Sequence, residues 1–265
     1  MSLKRAKIST PAAEVFRRLK ITAIVLTRNE AANIASCLKT ISWCDQILLI
    51  DNSTDDTIPK SKKIIPTPKL RIIHSSQDNF AYLRNLGLHK ARFSWVFFVD
   101  ADHRVPRALR HEILTLLKSS PQYKAYRIKQ QDVVFKRELS FGETAHVAHV
   151  LLGKKTAGFW RRRVHEKWHV RGNIGTLQHP IRHFPHQNLE EFLGHINRWS
   201  TLDAQEFNAQ KITAPLLQVI VFPVAKFLYN YFWRLGFIDG IPGLIVAYVM
   251  SLHSLSVRIK LRQLL

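Results

Sequence analysis

The feature that most constrains this fold is the alternation of short apolar runs with helix-like segments over residues 21–120. Runs rich in β-branched and aromatic residues predict four buried strands, at 21–26, 46–50, 70–73 and 95–99. Segments with helical spacing or helix-start signals follow them, at 31–41, 57–64, 81–91 and 106–117. Nearly continuous apolar strands that alternate with helices indicate a mostly parallel central sheet with helices on both faces. We therefore predict the α/β fold class.

Polar side chains follow three of these strands at the point where each strand ends. They are the loop Thr27-Arg28-Asn29-Glu30, then Asp51, and then Asp100-Ala101-Asp102. Because ligands of parallel sheets bind beyond the carboxyl ends of the strands, we expect these side chains along one edge. Two carboxylates one residue apart form a hard oxygen site, so Asp100 and Asp102 predict a bound Mg²⁺ or Mn²⁺. A solvated turn is the alternative for an isolated Asp-x-Asp.

The pattern changes after residue 120, where short strand-like segments suggest a mixed sheet. These segments are 126–128, 133–135, 163–170 and 181–184, and an amphipathic helix with a polar start is expected at 188–209. We predict three parts along the chain. They are a basic N-terminal extension at 1–20 without a secretory signal, a catalytic domain at 21–210, and an apolar helical region at 211–265.

The last part contains two apolar stretches, 212–225 and 240–257. A spanning helix needs about 20 mostly apolar residues. The first stretch is short and carries Pro215 and Pro223, and the second is borderline. We expect helices that lie in or dip into a bilayer interface, close to the basic residues at 258–262. A helical hairpin packed on the protein's own core is the alternative.

The net charge of +21 indicates a polyanionic partner, which could be nucleic acid, an anionic membrane surface or a phosphorylated substrate. The chain has two cysteines, Cys37 and Cys44, which exclude a disulfide framework and a four-cysteine zinc site. We therefore expect a cytoplasmic protein that is peripheral on the inner face of the cell membrane.

Four motifs occur in a fixed order, and together they resemble the family-2 glycosyltransferases of GT-A fold. The motifs are the loop at 27–30, Asp51-Asn52-Ser53-Thr54-Asp55, Ala81-x-x-Arg84-Asn85-x-Gly87 and Asp100-Ala101-Asp102. Two later motifs resemble the branch that includes lipopolysaccharide-core glycosyltransferases. They are Arg162-Arg163-Val164-His165-Glu166 and Gly236-Phe237-Ile238-Asp239-Gly240 with Pro242-Gly243. The resemblance covers roughly residues 21–257.

The resemblance implies a nucleotide-diphospho-sugar transferase fold and a metal-assisted, inverting transfer from a UDP-sugar donor to a lipid-linked or lipopolysaccharide-type glycan. In such an enzyme Thr27 and Glu30, with Arg28 and Asn29 in the same loop, would line the nucleotide pocket, and Asp51 would contact the base. By the same resemblance Arg84 would lie near the base or phosphates, Asp100 would hold the ribose or metal, and Asp102 would ligate the metal. This chain departs from the family at two places. Its loop 51–56 is a residue shorter and lacks glycine, and His103 stands where the family often has glutamate.

Inverting transfer needs a carboxylate that takes the proton of the acceptor hydroxyl. Glu166 is the candidate for this base, because it lies in a strand-like segment among cationic side chains that favour its ionised form. A structural salt bridge is the alternative role for Glu166. Asp132 and Glu143 are rival candidates for the base.

Six histidines cluster in the second half of the chain, at 165, 169, 179, 183, 186 and 195. Their spacing matches no standard zinc pattern and no cysteine accompanies them, which favours core or acceptor-site histidines. His165, beside the proposed base, is the first of them to test.

Two other functional classes remain as alternatives. A nucleotidyltransferase would share the α/β sheet, metal and nucleotide, but the loop at 27–30 lacks the glycine-rich sequence expected of one. A non-enzymatic basic protein would bind nucleic acid or membrane through charge, and arginines do mix with aromatic residues at 159–163. No known nucleic-acid motif is present, so nucleic acid is not the expected partner.

Overall fold

The computed structural model describes residues 18–143, 145, 147–162, 166–186 and 188–264. The first half of the chain alternates strands and helices, as the sequence predicts. The elements are β1 (Ile21–Thr27), α1 (Ile34–Ile41), β2 (Gln46–Asp51), α2 (Thr57–Ile64), β3 (Leu70–His74), α3 (Phe80–Lys90), β4 (Trp95–Phe98), β5 (His103–Arg104) and α4 (Arg107–Lys118). The helix expected at 31–41 begins later, at Ile34, because residues 31–33 form a turn.

The second half is richer in strands than the sequence suggests. It contains β6 (Ala125–Val134), β7 (Arg137–Glu138), β8 (Ala148–Lys154), β9 (Gly158–Arg161), β10 (Lys167–Val170), β11 (Ile174–Thr176), β12 (Ile181–His183) and α5 (Leu189–Ala209). The prediction of separate strands at 126–128 and 133–135 was wrong. One strand, β6, runs through both segments because it pairs with β8 along one part and with β12 further on. Residues 163–165 of the predicted strand at 163–170 lie outside the described residues.

The strand order is β3-β2-β1-β4-β8-β6-β12-β5, with β7 and β11 also paired to β6. The strands from β3 to β4 are parallel, and β8 is antiparallel to both of its neighbours. Thr27 lies opposite Asp51, and Asp51 lies opposite His74, so the carboxyl ends of β1, β2 and β3 meet. The predicted α/β fold class is confirmed.

An aromatic contact joins the β9–β10 hairpin to the core of the main sheet. Phe98 on β4 is buried, and its ring lies 4.9 Å from that of Trp160 and 5.3 Å from that of Trp168, both edge to face. Edge-to-face aromatic pairs at these distances stabilise packing beyond simple burial. The contact holds the hairpin, and therefore Glu166 beside it, close to the end of β4.

Two apolar helices, α6 (Leu216–Leu228) and α7 (Ile241–Leu264), end the chain. A π-helical turn (Tyr229–Trp233) and a 3-10 turn (Gly236–Asp239) connect them. Segments Leu216–Trp233 and Ile241–Leu264 are long and apolar enough to cross a membrane, by length and composition. The division of the chain at residues 20 and 210 stays a prediction.

Pro223 does not interrupt the first apolar stretch, because α6 continues through this residue. A proline inside a helix removes one backbone hydrogen bond and strains the preceding turn. Pro223 is buried here, and its carbonyl accepts a hydrogen bond of 2.7 Å from the hydroxyl of Ser251 on α7. This contact between the two helices fixes the proline-containing turn.

Gly87 allows α3 to lie close to β1. A Cβ atom at Gly87 would lie 2.6 Å from Cγ2 of the buried Ile24. We expect Gly87→Ala to lower the free energy of unfolding by about 1–3 kcal/mol, because a packed core resists an added methyl group. Gly194 on α5 is the matched control, since no atom lies within 4 Å of the position that an added methyl group would take there.

Gly194→Ala should raise the free energy of unfolding by roughly 0.5–1 kcal/mol, because alanine is the better helix former. Urea unfolding followed by circular dichroism measures both variants. Equal effects of the two substitutions would contradict the close approach of α3 to β1.

Candidate active site

The ends of β1 and β2 hold a buried pair of polar side chains. The hydroxyl of Thr27 donates a hydrogen bond of 2.7 Å to Oδ1 of Asp51, and both residues are buried. Nδ1 of His74, at the end of β3, lies 3.1 Å from the other oxygen of Asp51. The parallel register places these three residues side by side, so the predicted base contact lies at the predicted edge of the sheet.

The loops after β1 and β2 are tied together by side-chain contacts. Asn29 adopts the left-handed conformation, with φ of 58°. Its backbone N–H donates to the hydroxyl of Ser53 at 2.9 Å, and its Oδ1 accepts from the N–H of Thr54 at 2.9 Å. These contacts fix the glycine-free loop, since asparagine tolerates a conformation that otherwise favours glycine. Arg28 points elsewhere, to the exposed Asp78 at 2.7 Å.

Glu30 lies close enough to the Asp-x-Asp pair to experience its charge. Burial raises the pKa of Glu30 to about 7, although a hydrogen bond from Asn33 acts in the opposite direction. The negative charges of Asp102 and Asp100 raise this pKa further. The predicted nucleotide loop and the predicted metal site therefore lie next to each other.

Arg84 on α3 joins the predicted base to the first aspartate of the pair. Its Nε donates to Oε1 of Glu166 at 2.9 Å, and its Nη2 donates to Oδ1 of Asp100 at 3.0 Å. The buried guanidinium also lies 4.7 Å from the centre of the Trp160 ring. Burial raises the pKa of Asp100, but the attraction of Arg84 outweighs it and leaves the pKa below its usual value.

Asp102 meets a histidine that comes from the far end of the sheet. Nε2 of His183, on β12, lies 3.2 Å from Oδ2 of Asp102, and Nδ1 of His183 lies 2.8 Å from Oδ1 of Asp132 on β6. Nε2 of Gln130 donates to the same Asp132 oxygen at 2.8 Å. The parallel pairing of β12 with β6 places His183 directly opposite Asp132.

The charges of His183 and Asp102 each favour the ionised form of the other. Burial lowers the pKa of His183, but the negative charge of Asp102 and the bonds to both carboxylates raise it to about 10. Burial likewise raises the pKa of Asp102, yet the attraction of His183 leaves it far below its usual value. An imidazolium thus neutralises the half-buried Asp102 carboxylate.

The side chains of Asp102, His103 and His183 offer ligand atoms within 4.8 Å of one another. Oδ1 of Asp102 is buried and has no hydrogen-bond partner among the described residues, which fits an oxygen ligand directed at a cation. Nδ1 of His183 faces Asp132, and this leaves Nε2 directed toward Asp102, as in carboxylate–histidine–metal triads. In contrast, Nδ1 of His103 accepts a bond of 3.1 Å from the N–H of Asp100 and caps the turn.

Sequence reasoning placed Asp102 at a metal site but did not identify His183 as its partner. In the sequence, His183 is only a histidine within a short predicted strand. The pairing of β12 with β6 is needed to show that it lies between Asp132 and Asp102. The rival base Asp132 holds His183, and the rival Glu143 pairs with Lys226 at 2.7 Å. His165 lies outside the described residues.

Residues 22–170 match the family model described as glycosyl transferase family 2. The chain belongs to this family. The chain is 24% identical over 246 residues to the lipopolysaccharide core biosynthesis glycosyltransferase LpsC of Rhizobium meliloti (strain 1021), covering 88% of this chain and 91% of LpsC. It is 25% identical over 267 residues to an uncharacterized glycosyltransferase of Rickettsia felis, covering 92% of this chain and 90% of that protein. The predicted resemblance to family 2 and its lipopolysaccharide-type branch is confirmed.

Two solved structures are similar to this family-2 glycosyltransferase in chain path. One is S. aureus TarS 1–349, with a TM-score of 0.47 and 14% identity, covering 93% of this chain and 92% of that one. The other is glucosyl-3-phosphoglycerate synthase from Mycobacterium tuberculosis in complex with Mn²⁺, UDP and phosphoglyceric acid. Its TM-score is 0.35 with 20% identity, covering 43% of each chain. At these values neither structure assigns a ligand to this chain.

The raised pKa of Glu30 predicts a pH-dependent stability difference for Glu30→Gln in metal-free buffer. Near pH 4.5 the carboxyl keeps its proton in the folded state and for much of the time in the unfolded state, so the two proteins should unfold alike. Above about pH 7 the parent folds with a buried charge, and Glu30→Gln should be more stable by on the order of 1–2 kcal/mol.

Urea unfolding at both pH values measures this difference. Glu206→Gln, an exposed carboxylate on α5, is the control and should change stability little at either pH. If Glu30→Gln is no more stable than the parent at the higher pH, the raised pKa of Glu30 is contradicted.

Proposed function

We propose that this family-2 glycosyltransferase transfers a sugar from a UDP-sugar to an acceptor hydroxyl, with inversion at the anomeric carbon and assistance from a divalent cation. The observation that carries the proposal is the double contact of Arg84. It holds Glu166, a carboxylate suited to act as base, next to Asp100 of the Asp-x-Asp pair.

The donor's base would occupy the end of β1 and β2. There the buried carboxylate of Asp51 offers an acceptor to an N–H of the base, and the bond from Thr27 fixes the orientation of that carboxylate. Glu30 would face the ribose or diphosphate when it holds its proton, because a neutral carboxyl can donate a hydrogen bond and does not repel phosphate oxygens. Arg28 and Asn29 would act on the loop's shape, since their side chains contact Asp78 and Thr54.

Asp102 and His183 would hold Mg²⁺ or Mn²⁺, with Asp100 beside them. A nitrogen ligand favours Mn²⁺ over Mg²⁺, because Mg²⁺ prefers an octahedral shell of oxygen atoms. When bound, the cation would neutralise the charge that develops on the diphosphate leaving group. His183 would give up one proton on ligation, and Asp132 would keep its Nδ1–H oriented.

Glu166 would act as the general base. Its carboxylate takes the proton of the acceptor hydroxyl while the acceptor oxygen forms a bond to the anomeric carbon. The bond from that carbon to the diphosphate oxygen breaks on the opposite face, and UDP leaves with the electron pair. Arg84 would orient Glu166 during this step, because it is itself fixed by Asp100 and the Trp160 ring.

The acceptor would be a lipid-linked or lipopolysaccharide-type glycan at the cytoplasmic face of the membrane. The similarity to LpsC over most of both chains supports this acceptor class. The two apolar C-terminal helices support a peripheral membrane location.

Substitution of the two acidic side chains tests the chemistry. Asp102→Asn should abolish transfer without unfolding the protein, and Glu166→Gln should lower kcat by about 10²–10⁴-fold, the usual contribution of a general base. Glu206→Gln, exposed on α5, is the matched control and should leave turnover unchanged. Release of UDP from a UDP-sugar with acceptor measures turnover, and an active Asp102→Asn protein would end this mechanism.

Calorimetric titration with UDP-, GDP- and ADP-sugars, with and without Mn²⁺, tests the donor. We expect Mn²⁺-dependent affinity for UDP-sugars and none for the other two classes, because Asp51 would select the base. Equal affinity for all three nucleotides would reject Asp51 as the base contact.

Asp132 should control metal affinity without touching the cation. Asp132→Asn should weaken Mn²⁺ binding by about 10–100-fold, because His183 loses the carboxylate that orients it. Glu112→Gln is the matched control, since Glu112 forms a similar 2.8 Å contact with His179 outside this site. Electron paramagnetic resonance of free Mn²⁺ measures both variants. Equal Mn²⁺ affinity in the parent and Asp132→Asn proteins would exclude His183 as a ligand held by Asp132.

A further inference from the structure

The C-terminal hairpin, which consists of α6, the connecting turns and α7, leaves many large apolar side chains exposed. Its most exposed large side chains are Trp233 (80% exposed), Ile241 (73%) and Leu217 (72%), together with Leu216, Ile220 and Tyr248. We call these six residues the docking surface. Three of them lie on α6, Trp233 lies in the connecting turns, and Ile241 and Tyr248 lie in the first half of α7, so exposed apolar side chains are concentrated in this hairpin. Concentrations of exposed apolar side chains mark contact sites.

The polar side of the same hairpin is bound to the catalytic domain. Lys226, Asn230 and Arg234 recur every four residues, and all three reach Glu143. The Lys226 ammonium lies 2.7 Å from Oε1, the Asn230 amide donates to Oε2 at 3.0 Å, and Arg234 donates to the backbone carbonyl at 3.3 Å. This amphipathic division leaves the apolar side facing away from the enzyme.

A second contact fixes the turn between the two helices. The buried carboxylate of Asp239 accepts hydrogen bonds from the backbone N–H groups of Ser140 at 3.1 Å and Phe141 at 2.9 Å. The hairpin is therefore held at two points, and the docking surface has a fixed orientation relative to the active site.

The far half of α7 is bound to α5, which is a polar helix. The Lys260 ammonium donates to Oδ1 of Asn197 at 2.7 Å and to the hydroxyls of Ser200 at 2.9 Å and Thr201 at 2.8 Å. Nearer the middle of α7, Nε2 of His253 lies 3.5 Å from Oδ2 of Asp203 on α5. A spanning α7 would carry this part of α5 into hydrocarbon, where polar and charged groups are costly. The contacts therefore favour a hairpin that lies along a membrane over one that crosses it.

The charge of this region favours a lipid surface over a second copy of the chain. Residues 211–264 contain six Lys or Arg and a single acidic residue, the buried Asp239. Two copies of a chain with a net charge of +21 repel each other, whereas anionic head groups attract such a chain. Arg258, at 4.2 Å from the Phe222 ring, lies along apolar surface as side chains at a membrane interface do.

We propose that the docking surface inserts into the head-group and upper acyl region of an anionic bilayer, with α6 and α7 in the membrane plane. The proposal rests on the membrane location of the proposed function and identifies the residues and orientation that produce it. It does not depend on the donor, the acceptor or the metal, because lipid binding needs none of them.

Flotation of the full chain with vesicles of phosphatidylcholine and phosphatidylglycerol tests the surface. The triple variant Leu217→Ser, Trp233→Ser and Ile241→Ser should bind at least about tenfold more weakly, because three apolar side chains lose their burial. Trp199→Ser is the matched control, since Trp199 is also exposed (53%) but lies on α5 outside the docking surface. Unchanged binding of the triple variant, or equal loss in the control, would overturn the proposal.

A cysteine at position 263 tests the orientation. Gln263 is exposed at the end of α7, and the native Cys37 and Cys44 are buried, so a maleimide that cannot cross membranes should label Gln263→Cys selectively. We expect full labelling of vesicle-bound protein from the side to which the protein was added. Protection of the cysteine by the vesicles would overturn the in-plane orientation. A hairpin that crosses twice would also be labelled, so protein that stays with the vesicles in sodium carbonate at about pH 11 would overturn it as well.

Two further measurements separate this proposal from its competitors. In sedimentation equilibrium without lipid, we expect the parent and the triple variant to have the same oligomeric state. If the parent forms an oligomer that the triple variant does not form, and the parent does not bind vesicles, the docking surface is a self-association surface instead. Calorimetry should show that the triple variant keeps the parent's affinity for UDP with Mn²⁺. If the parent binds vesicles but has no affinity for UDP, the proposed transfer reaction is contradicted and the membrane-docking proposal is not.

Discussion

The buried guanidinium of Arg84 is the contact on which the arrangement of the active site depends. It lies at the junction of α3, the end of β4 and the β9–β10 hairpin, and it binds one carboxylate from each side. A buried charge without partners destabilises a fold by several kcal/mol, so Asp100 and Glu166 must both stay in place. Asp100 and Glu166 are therefore held together by one cation, on the face of Trp160.

The strands in the first half of the chain could be predicted from the sequence, because a strand that is buried on both sheet faces appears there as a continuous apolar run. Strands β1, β2 and β4 are almost entirely buried, and each reads as a largely apolar run. Residues that end such strands must lie at one edge, which is why Asp51, Asp100 and Asp102 could be placed from the sequence. Gly87 belonged to a motif in the sequence, but the close approach to Ile24 that requires it appears only in three dimensions.

The parts that sequence reasoning missed depend on pairings between distant segments. Strand β8 is buried only at residues 151–153 and is exposed at both ends, so its apolar pattern is weak. It nevertheless joins the parallel and mixed halves of the sheet. His183 and Asp132 are 51 residues apart in sequence. Only the register between β12 and β6 brings them together opposite Asp102. The bond from Ser251 to the carbonyl of Pro223 likewise joins distant segments, and the sequence around the proline does not predict it.

The anchoring of the C-terminal hairpin at Glu143 bears on the choice of acceptor. Three side chains of the hairpin converge on this one residue, so the hairpin is anchored to the loop that contains it. If the hairpin rests on a membrane as proposed, Asp100 and Asp102 stand at a constant distance from that membrane. A hydroxyl group is presented correctly only if the glycan that carries it has a matching length from its anchor. The anchoring at Glu143 would thus let the enzyme select acceptor glycans by their length, without a dedicated pocket.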